Sequence, residues 1–593
     1  MSFRAPVRDL AFALSSVGHD ALIARAYPDL DADTVAAVLE AAGAFTTDVL
    51  APLNRKGDTE GARYENGTVT AAPGFADAYR QFWEGGWNSL SADPEFGGQG
   101  LSKAMELAVF EMVHAANMAF GLCPMLTQGA IEALTLHGTE RQKRLVLPKL
   151  VSGEWTGAMC LTEPQAGSDL AALTTMARPD GKGGYTLHGQ KIFITWGDHD
   201  AAENICHLII ARTPDAPPGV KGISLFLASK YDLKDDGSLG GRNDFRAGSI
   251  EHKLGIHGSP TCVMLYEGAK AELVGELGQG LPHMFVMMNA ARLQVGVQGV
   301  AIAERAFQQA LAFSQERRQG KAIWSADYPS EIWGHPDVRR TLMLMKAKTE
   351  AARAICLTTG VLSDIARLAD TEPERAAAKA RQELLTPIAK AWSTDVGVEV
   401  ASMGVQVHGG MGFIEETGAA QHYRDARIAP IYEGTNGIQA IDLVGRKVGM
   451  ADGGVMKALC AELALTAGQL TEVPDLASVG RRLAAGVGAL ERATDWLLAH
   501  RGPDSLAAAT PYLKLAGDVI GGAMLGRQAL MAQMAAEAMG GSLSSSGNPW
   551  LKSKAALARV YAGQVLTQAP GIAEGLMDGA EDLEATPHSA LSA

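Results

Sequence analysis

Ala429–Gln439 reads APIYEGTNGIQ and contains a single carboxylate, Glu433, among apolar neighbours. A carboxylate in such surroundings loses hydration, which raises its pKa toward the range in which a base acts at neutral pH. Gly434 lets the backbone approach a ligand closely, and Thr435 and Asn436 offer polar contacts. These residues alone fit two interpretations equally well: a catalytic base, or a glutamate that caps a helix where a loop enters it.

Composition narrows the class of protein. The chain has 593 residues, too many for one hydrophobic core, and 47% of them are hydrophobic, as in ordinary globular proteins. Its net charge of -14 argues against a nucleic-acid partner and against binding to an anionic membrane surface. The six cysteines have no CxxC spacing, so we expect no metal site and no disulfide framework. With no signal-like start and no uncharged apolar run of spanning length, a cytoplasmic protein without membrane insertion is predicted.

The order of periodic segments predicts an α+β multidomain fold. Helical periodicity dominates the start, short alternating runs follow, and long helices then return. We predict an N-terminal helical domain (1–156), a central β-sandwich or barrel (157–282), a four-helix bundle carrying Glu433 (283–449) and an additional C-terminal helical domain (450–593).

Particular segments carry this prediction. Long helices are predicted over Met284–Gln315, Asp337–Leu368 and Arg375–Gly404, whereas the hydrophilic stretch Lys230–Asp244 is predicted to be a surface loop. The run Ala508–Met539 is predicted to be a buried packing helix rather than a membrane-surface helix, because its charges fall around the helical wheel.

Four motifs accompany Glu433: MCLTEPQAGSD at Met159–Asp169, FITWG at Phe193–Gly197, FSQERRQG at Phe313–Gly320 and QVHGGMGF at Gln406–Phe413. Together with IYEGT and the order of the domains, they resemble the FAD-dependent acyl-CoA dehydrogenases from about residue 35 to 448. Phe193 stands where that family more often has Trp, and Trp196 stands where Asn is common. The aromatic residue expected at position 320 is missing.

The resemblance implies roles for particular residues. FAD would be bound by Met159, Leu161, Thr162, Gly167, Ser168, Phe193, Ile194, Thr195, Arg317, Gln406, Gly409, Gly410 and Thr435. Substrate would be bound by Ser168, Asn289, Arg292, Tyr432 and Gly434. Glu433 would remove the α-proton of an acyl-CoA while FAD accepts the β-hydride, and Arg317 would reach the FAD pyrophosphate of a neighbouring subunit. Some members carry the base on an earlier helix, but the matching position here is Ala291, which cannot serve.

The C-terminal block resembles that of the longer acyl-CoA dehydrogenases, including the 3-methylmercaptopropionyl-CoA dehydrogenases and long-chain enzymes. This resemblance implies a homodimer, an electron-transferring flavoprotein as electron acceptor, and a place in fatty-acid β-oxidation. The substrate would be 3-methylmercaptopropionyl-CoA or a fatty acyl-CoA. Two alternatives stay open at this point: an acyl-CoA oxidase that uses O2, and an inactive homologue that acts as a scaffold or binding protein.

Overall fold

The structure, a computed structural model, describes residues 3–27 and 30–592. The chain divides into two units. The barrel unit consists mainly of Ala37–Gln294, and the bundle unit consists of Val7–Ala36 and Val295–Ala593. The predicted α+β class, with helices at both ends of the chain and a β-domain between them, is confirmed.

The helical part of the barrel unit is built from helices with clear start signals. Ser102 and Asn117 each accept a backbone N–H at a helix start, and Thr139 forms a reciprocal capping box with Gln142. The helix Met118–His137 is buried along most of its length, which explains its apolar composition on every face. The helices are Ala32–Phe45, whose first residues belong to the bundle unit, Ala51–Glu60, Phe75–Glu84, Lys103–Ala116, Met118–His137 and Glu140–Ser152.

The central strands close into a ring, so the β-domain is a small barrel. Thr261–Val274 pairs with Tyr185–Thr195, and Met176–Pro179 connects that strand to Asn204–Arg212. Ile223–Ser229 pairs with both Asn204–Arg212 and Thr261–Val274 and completes the ring. Two further strands extend it, Phe245–Ile250 and the parallel strand Trp155–Cys160.

Two short hairpins lie outside this sheet, Arg63–Glu65 with Thr68–Thr70 and Tyr231–Leu233 with Leu239–Arg242. The second falls within Lys230–Asp244, so the prediction of a plain surface loop there was wrong. The hairpin was missed because none of its strand residues is buried, which leaves no hydrophobic alternation in the sequence.

Three long helices dominate the bundle unit: Gly280–Glu316, whose first residues belong to the barrel unit, Pro336–Leu368 and Glu372–His408. The predicted long helices agree with them to within a few residues at each end. The remaining helices are Val7–Ser16, His19–Ala26, Ala419–Ala426, Asn436–Asp442, Gly454–Glu472, Ala477–Ala499, Pro503–Ala507, Ala509–Ala538, Pro549–Gln564, Ala569–Leu576 and Glu581–Ala585. Ala509–Ala538 buries most of its side chains, as predicted for a packing helix.

One stretch among the described residues, Ala32–Glu60, is long and apolar enough to cross a membrane on length and composition alone. Of its most apolar window, 33% is buried, and a single stretch of this kind is weak evidence for a membrane span.

Candidate active site

In the barrel unit, the first motif leaves the strand Trp155–Cys160 and forms an exposed turn. Leu161 is buried, and Met159 and Thr162 are half-buried, whereas Gly167 and Ser168 are exposed. The Ile192 N–H donates to the Thr162 carbonyl over 2.8 Å, so the first and second motifs lie side by side.

A buried ion pair that the sequence did not reveal supports this turn. The Glu163 carboxylate accepts from the Lys191 ammonium over 2.8 Å, and both side chains are almost fully buried. Glu163 also accepts the backbone N–H groups of Thr174 and Thr175 over 2.7 and 3.0 Å. Burial alone would raise the pKa of Glu163, but the Lys191 charge and these donors lower it to about 2. The carboxylate therefore holds the turn in place rather than acting as a base.

Phe193 lies in a β-bulge of the second motif. Two residues, Ile192 and Phe193, oppose the single residue Val263 on the neighbouring strand, which turns the Phe193 ring outward. Its φ of 59° lies in the left-handed region, which costs about 1–3 kcal/mol for a residue with a Cβ, and 58% of the residue is exposed. An exposed aromatic ring held at such a cost is suited to stacking on a flat ligand.

The other residues of this motif point elsewhere. Ile194 is buried and Thr195 is half-buried. Trp196, at the position where Asn is common, buries its indole, which donates to the Ala119 carbonyl over 3.2 Å and stacks on Phe75. Trp196 is therefore part of the core of the barrel unit.

The start of the helix Gly280–Glu316 carries the predicted substrate residues of the barrel unit. Asn289 is exposed, and its side-chain oxygen accepts from the Arg292 guanidinium over 3.0 Å. The same guanidinium lies 5.7 Å from the ring centroid of Phe285. Ala291, which precedes Arg292 in the sequence, is buried and has no acidic side chain.

In the bundle unit, Glu433 lies in a bend that precedes the helix Asn436–Asp442 and is half-buried. Gly434 has a φ of 64°, a left-handed conformation that favours glycine. Thr435 caps the following helix, because its hydroxyl accepts the Ile438 N–H over 3.4 Å. Thr435 therefore caps the following helix, the role that was an alternative for Glu433.

The bend is anchored to the helix Glu372–His408 at both ends. The buried Lys390 ammonium donates to the Ala429 carbonyl over 2.9 Å and to Asn436 Oδ1 over 2.8 Å. Asn436 was predicted to offer a polar contact to a ligand, but its side chain contacts this helix instead. That role could not be found from the local sequence, since its partners lie about forty residues earlier.

Tyr432 is held on the other side of the bend. Its hydroxyl donates to Gln298 Oε1. Although the residue as a whole is half-buried, the hydroxyl is enclosed, and this burial raises the pKa of Tyr432 well above its ordinary value. Tyr432 therefore stays neutral and supports the bend through its hydrogen bond.

The third and fourth motifs lie together in the bundle unit. The rings of Phe313 and His408 stack with their centroids 4.4 Å apart. Arg317 is exposed, with a hydrogen bond to the side chain of Gln319 over 3.1 Å. Its guanidinium is thus presented at the surface.

Gln406, Gly409 and Gly410 are exposed as well. A Cβ added at Gly409 or Gly410 would meet no atom within 4 Å, so packing inside the chain does not require glycine at either position. Gly409 has a φ of 59°, and its backbone and that of Gly410 are open to a ligand.

These features fit FAD. The outward Phe193 ring suits a flat heterocycle, the exposed Arg317 guanidinium suits a pyrophosphate, and the open glycine backbone suits close approach of the nucleotide. Among residues 3–27 and 30–592, no group of three or more His, Cys, Asp or Glu side chains could hold a metal ion.

Comparison with known proteins identifies the class. The acyl-CoA dehydrogenase N-terminal, middle and C-terminal domains match residues 33–154, 158–269 and 278–448, and an acetyl-CoA dehydrogenase C-terminal-like region matches 454–587. A solved acyl-CoA dehydrogenase from Bacillus anthracis, complexed with FAD, has the same fold, with a TM-score of 0.72 at 22% identity over 97% of this chain and 92% of that one. The fold and motifs thus define an FAD-dependent oxidoreductase that acts on CH–CH bonds.

Curated relatives are similar over most of the chain. The 3-methylmercaptopropionyl-CoA dehydrogenase of Ruegeria pomeroyi is 48% identical over 580 residues, which cover 96% of this chain and 97% of that protein. A butyryl-CoA dehydrogenase of Syntrophomonas wolfei is 37% identical over 456 residues, 74% of each protein. The chain belongs to the acyl-CoA dehydrogenase family, in its longer form with an additional C-terminal region.

Proposed function

We propose that this chain converts an acyl-CoA to the trans-2-enoyl-CoA, with Glu433 as the base that removes the α-proton. The observation that carries the proposal is the placement of a half-buried carboxylate on a bend fixed at both ends by Lys390. FAD, when bound, supplies the hydride acceptor for the β-hydrogen, which no protein side chain can provide.

Three of the chain's own residues act in this reaction. The Glu433 carboxylate takes the α-proton, and its own backbone N–H donates to the thioester oxygen, which favours the negative charge that develops there. Gly434 allows the close backbone approach that this contact needs, because it has no side chain and a left-handed φ. Tyr432, fixed by Gln298, lines the approach of the substrate.

Each remaining site residue has a proposed role of its own. Phe193, with Ile194 and Thr195 beside it, contacts the flavin ring, and Met159, Leu161, Thr162, Gly167 and Ser168 form the turn against it. Asn289 and Arg292 contact the CoA arm, a role also given to Ser168. An FAD-binding surface for a neighbouring subunit of a homodimer is formed by Arg317, Gln406, Gly409 and Gly410. Thr435 contacts FAD beside Glu433.

For the substrate, we propose 3-methylmercaptopropionyl-CoA, because the relative with that activity is similar over nearly the whole chain. A short fatty acyl-CoA is the alternative, given the butyryl-CoA dehydrogenase relative. The test is turnover with an artificial electron acceptor on 3-methylmercaptopropionyl-CoA, butyryl-CoA and a series of longer acyl-CoA esters. The proposal expects the highest kcat/KM for the sulfur-containing ester. A kcat/KM that is tenfold or more higher for a longer acyl-CoA would refute 3-methylmercaptopropionyl-CoA as the substrate.

For the electron acceptor, we propose electron-transferring flavoprotein. Substrate in aerated buffer without an acceptor should then give little hydrogen peroxide, whereas added electron-transferring flavoprotein should restore steady turnover. Rapid peroxide formation with substrate and oxygen alone would identify an acyl-CoA oxidase instead.

A further inference from the structure

We infer that Asn436 is a positioning residue for Glu433, held in place by Lys390. The inference rests on the proposed role of Glu433 as the base. It assigns to Asn436 a task in proton abstraction rather than in binding of substrate or cofactor.

One ammonium group closes the bend. Lys390 is buried, and its Nζ lies 2.9 Å from the Ala429 carbonyl and 2.8 Å from Asn436 Oδ1. Because a buried charge is costly unless it is hydrogen-bonded, the ammonium holds both acceptors firmly. The two ends of Ala429–Asn436, the segment that contains Glu433, are therefore tied to one point on the helix Glu372–His408.

The hydrogen-bond partners of the Asn436 side-chain amide fix its orientation. Its Nδ2 lies 2.8 Å from Asp395 Oδ1, 3.0 Å from the Thr394 hydroxyl and 3.1 Å from the Ala391 carbonyl. An ammonium group can only donate, so the amide oxygen must face Lys390 and the NH2 group must face these acceptors. Asn is thus the residue type that satisfies a donor on one side and acceptors on the other.

Two more hydrogen bonds hold the backbone next to Glu433. The backbone N–H of Asn436 donates to the Pro430 carbonyl over 3.0 Å, and the side-chain amide of Gln439 donates to the Gly434 carbonyl over 3.1 Å. The backbone is therefore fixed on both sides of Glu433. Because proton transfer requires the base within hydrogen-bond reach of the proton, a loosened anchor should slow this step more than it weakens binding.

Asn436→Asp tests the inference, because it places a carboxylate oxygen where Nδ2 lies 2.8 Å from Asp395 Oδ1. Two carboxylates at that distance repel unless they share a proton. We expect the rate constant of flavin reduction at saturating substrate to fall at least about tenfold at alkaline pH. The ratio of the variant's rate constant to that of wild type should rise toward one as the pH is lowered. The KM and the FAD content should change less than about twofold.

Two partner variants sharpen the test. Asp395→Asn keeps an acceptor for Asn436 Nδ2, so this change alone should alter the rate constant of flavin reduction little. Combined with Asn436→Asp, it restores a donor–acceptor pair with the roles exchanged, whereas the Ala391 carbonyl still faces a carboxylate oxygen. The rate of the double variant should therefore exceed that of Asn436→Asp by at least about threefold without reaching that of wild type. Asn548→Asp is the matched control: it introduces the same charge at the start of the helix Pro549–Gln564, where the side chain only accepts hydrogen bonds, and it should leave the rate unchanged.

The outcomes separate the inference from the proposed function. An Asn436→Asp variant that reduces its flavin at the wild-type rate at every pH, or a double variant that shows no recovery, would overturn the inference. If Asn436→Asp does not fold, Asn436→Ala replaces it; a loss of rate that does not depend on pH supports the inference, and a wild-type rate refutes it. Unimpaired flavin reduction in Glu433→Gln would instead refute the role of Glu433 itself.

Discussion

Replacing Lys191 with Met removes the buried partner of Glu163 while preserving much of the side-chain volume. The two charges are 2.8 Å apart, with side-chain exposures of 0% and 2%. Removing one partner of a buried pair costs about 3–5 kcal/mol, because the other charge is left uncompensated. Lys191→Met should therefore destabilise the barrel unit by about that amount and release the turn at Gly167 and Ser168.

The pKa of Glu163 makes the contribution of this pair depend on pH. The Lys191 charge and the hydrogen-bond donors lower the pKa from an ordinary value of 4.5 to about 2. Because the pKa is lowered in the folded state, this stability is fully present above about pH 4.5 and is lost as the pH falls toward 2. The difference between wild type and Lys191→Met should therefore shrink in acid.

Native-state hydrogen exchange of the strand Tyr185–Thr195 measures this local free energy of unfolding directly. Lys270→Met is the matched control in the same unit, since Lys270 lies 2.6 Å from Asp232 but 68% of its side chain is exposed. Such an exposed pair contributes about 0–1 kcal/mol. Equal effects of the two Lys→Met changes, or an effect of Lys191→Met below about 1 kcal/mol, would refute the reasoning.

Three further predictions follow from the structure. Phe193→Ala should release FAD about tenfold faster, measured by the fluorescence of free flavin, with the unfolding temperature of the apoprotein nearly unchanged, because the ring is largely exposed and alanine keeps the same strained φ. Arg317→Ala should weaken FAD binding in a salt-dependent titration, whereas an unchanged affinity would remove this side chain from the pyrophosphate site. Lys554→Met, which removes a buried ammonium hydrogen-bonded to two carboxylates, should destabilise the bundle unit by about 3–5 kcal/mol in urea titrations. Lys457→Met, at an exposed pair, should cost less than about 1 kcal/mol in the same titration.

Sequence periodicity predicted the long helices well, because their Ala- and Leu-rich patterns extend over many turns. The helix ends were predicted less accurately. The helix predicted from Arg375 starts at Glu372, since Thr371 is its N-cap and Pro373 lies in its first turn. In the barrel, the sequence has two separate short alternating runs, Tyr185–Leu187 and Lys191–Ile194, which the structure joins in the single strand Tyr185–Thr195. Polar residues interrupt the apolar alternation there, while backbone pairing with Thr261–Val274 continues through it.

Side-chain partnerships far apart in sequence were the part that could not be predicted. Lys191 has the sequence pattern of an ordinary strand residue, and its burial against Glu163 depends on pairing across 28 positions. Asn436 was predicted to contact a ligand, yet its partners lie on a helix that ends at His408. Local patterns specify which residues are reactive or polar, whereas the tertiary contacts determine which of them remain available.

Anaerobic stopped-flow reduction of the bound flavin tests the role of Glu433 most directly. Mixing the wild-type holoenzyme with 3-methylmercaptopropionyl-CoA should bleach the flavin absorbance within one turnover. Glu433→Gln, which keeps the shape of the side chain but cannot accept a proton, should retain FAD and substrate yet bleach at least about 100-fold more slowly. Bleaching of Glu433→Gln at the wild-type rate would show that another group removes the α-proton.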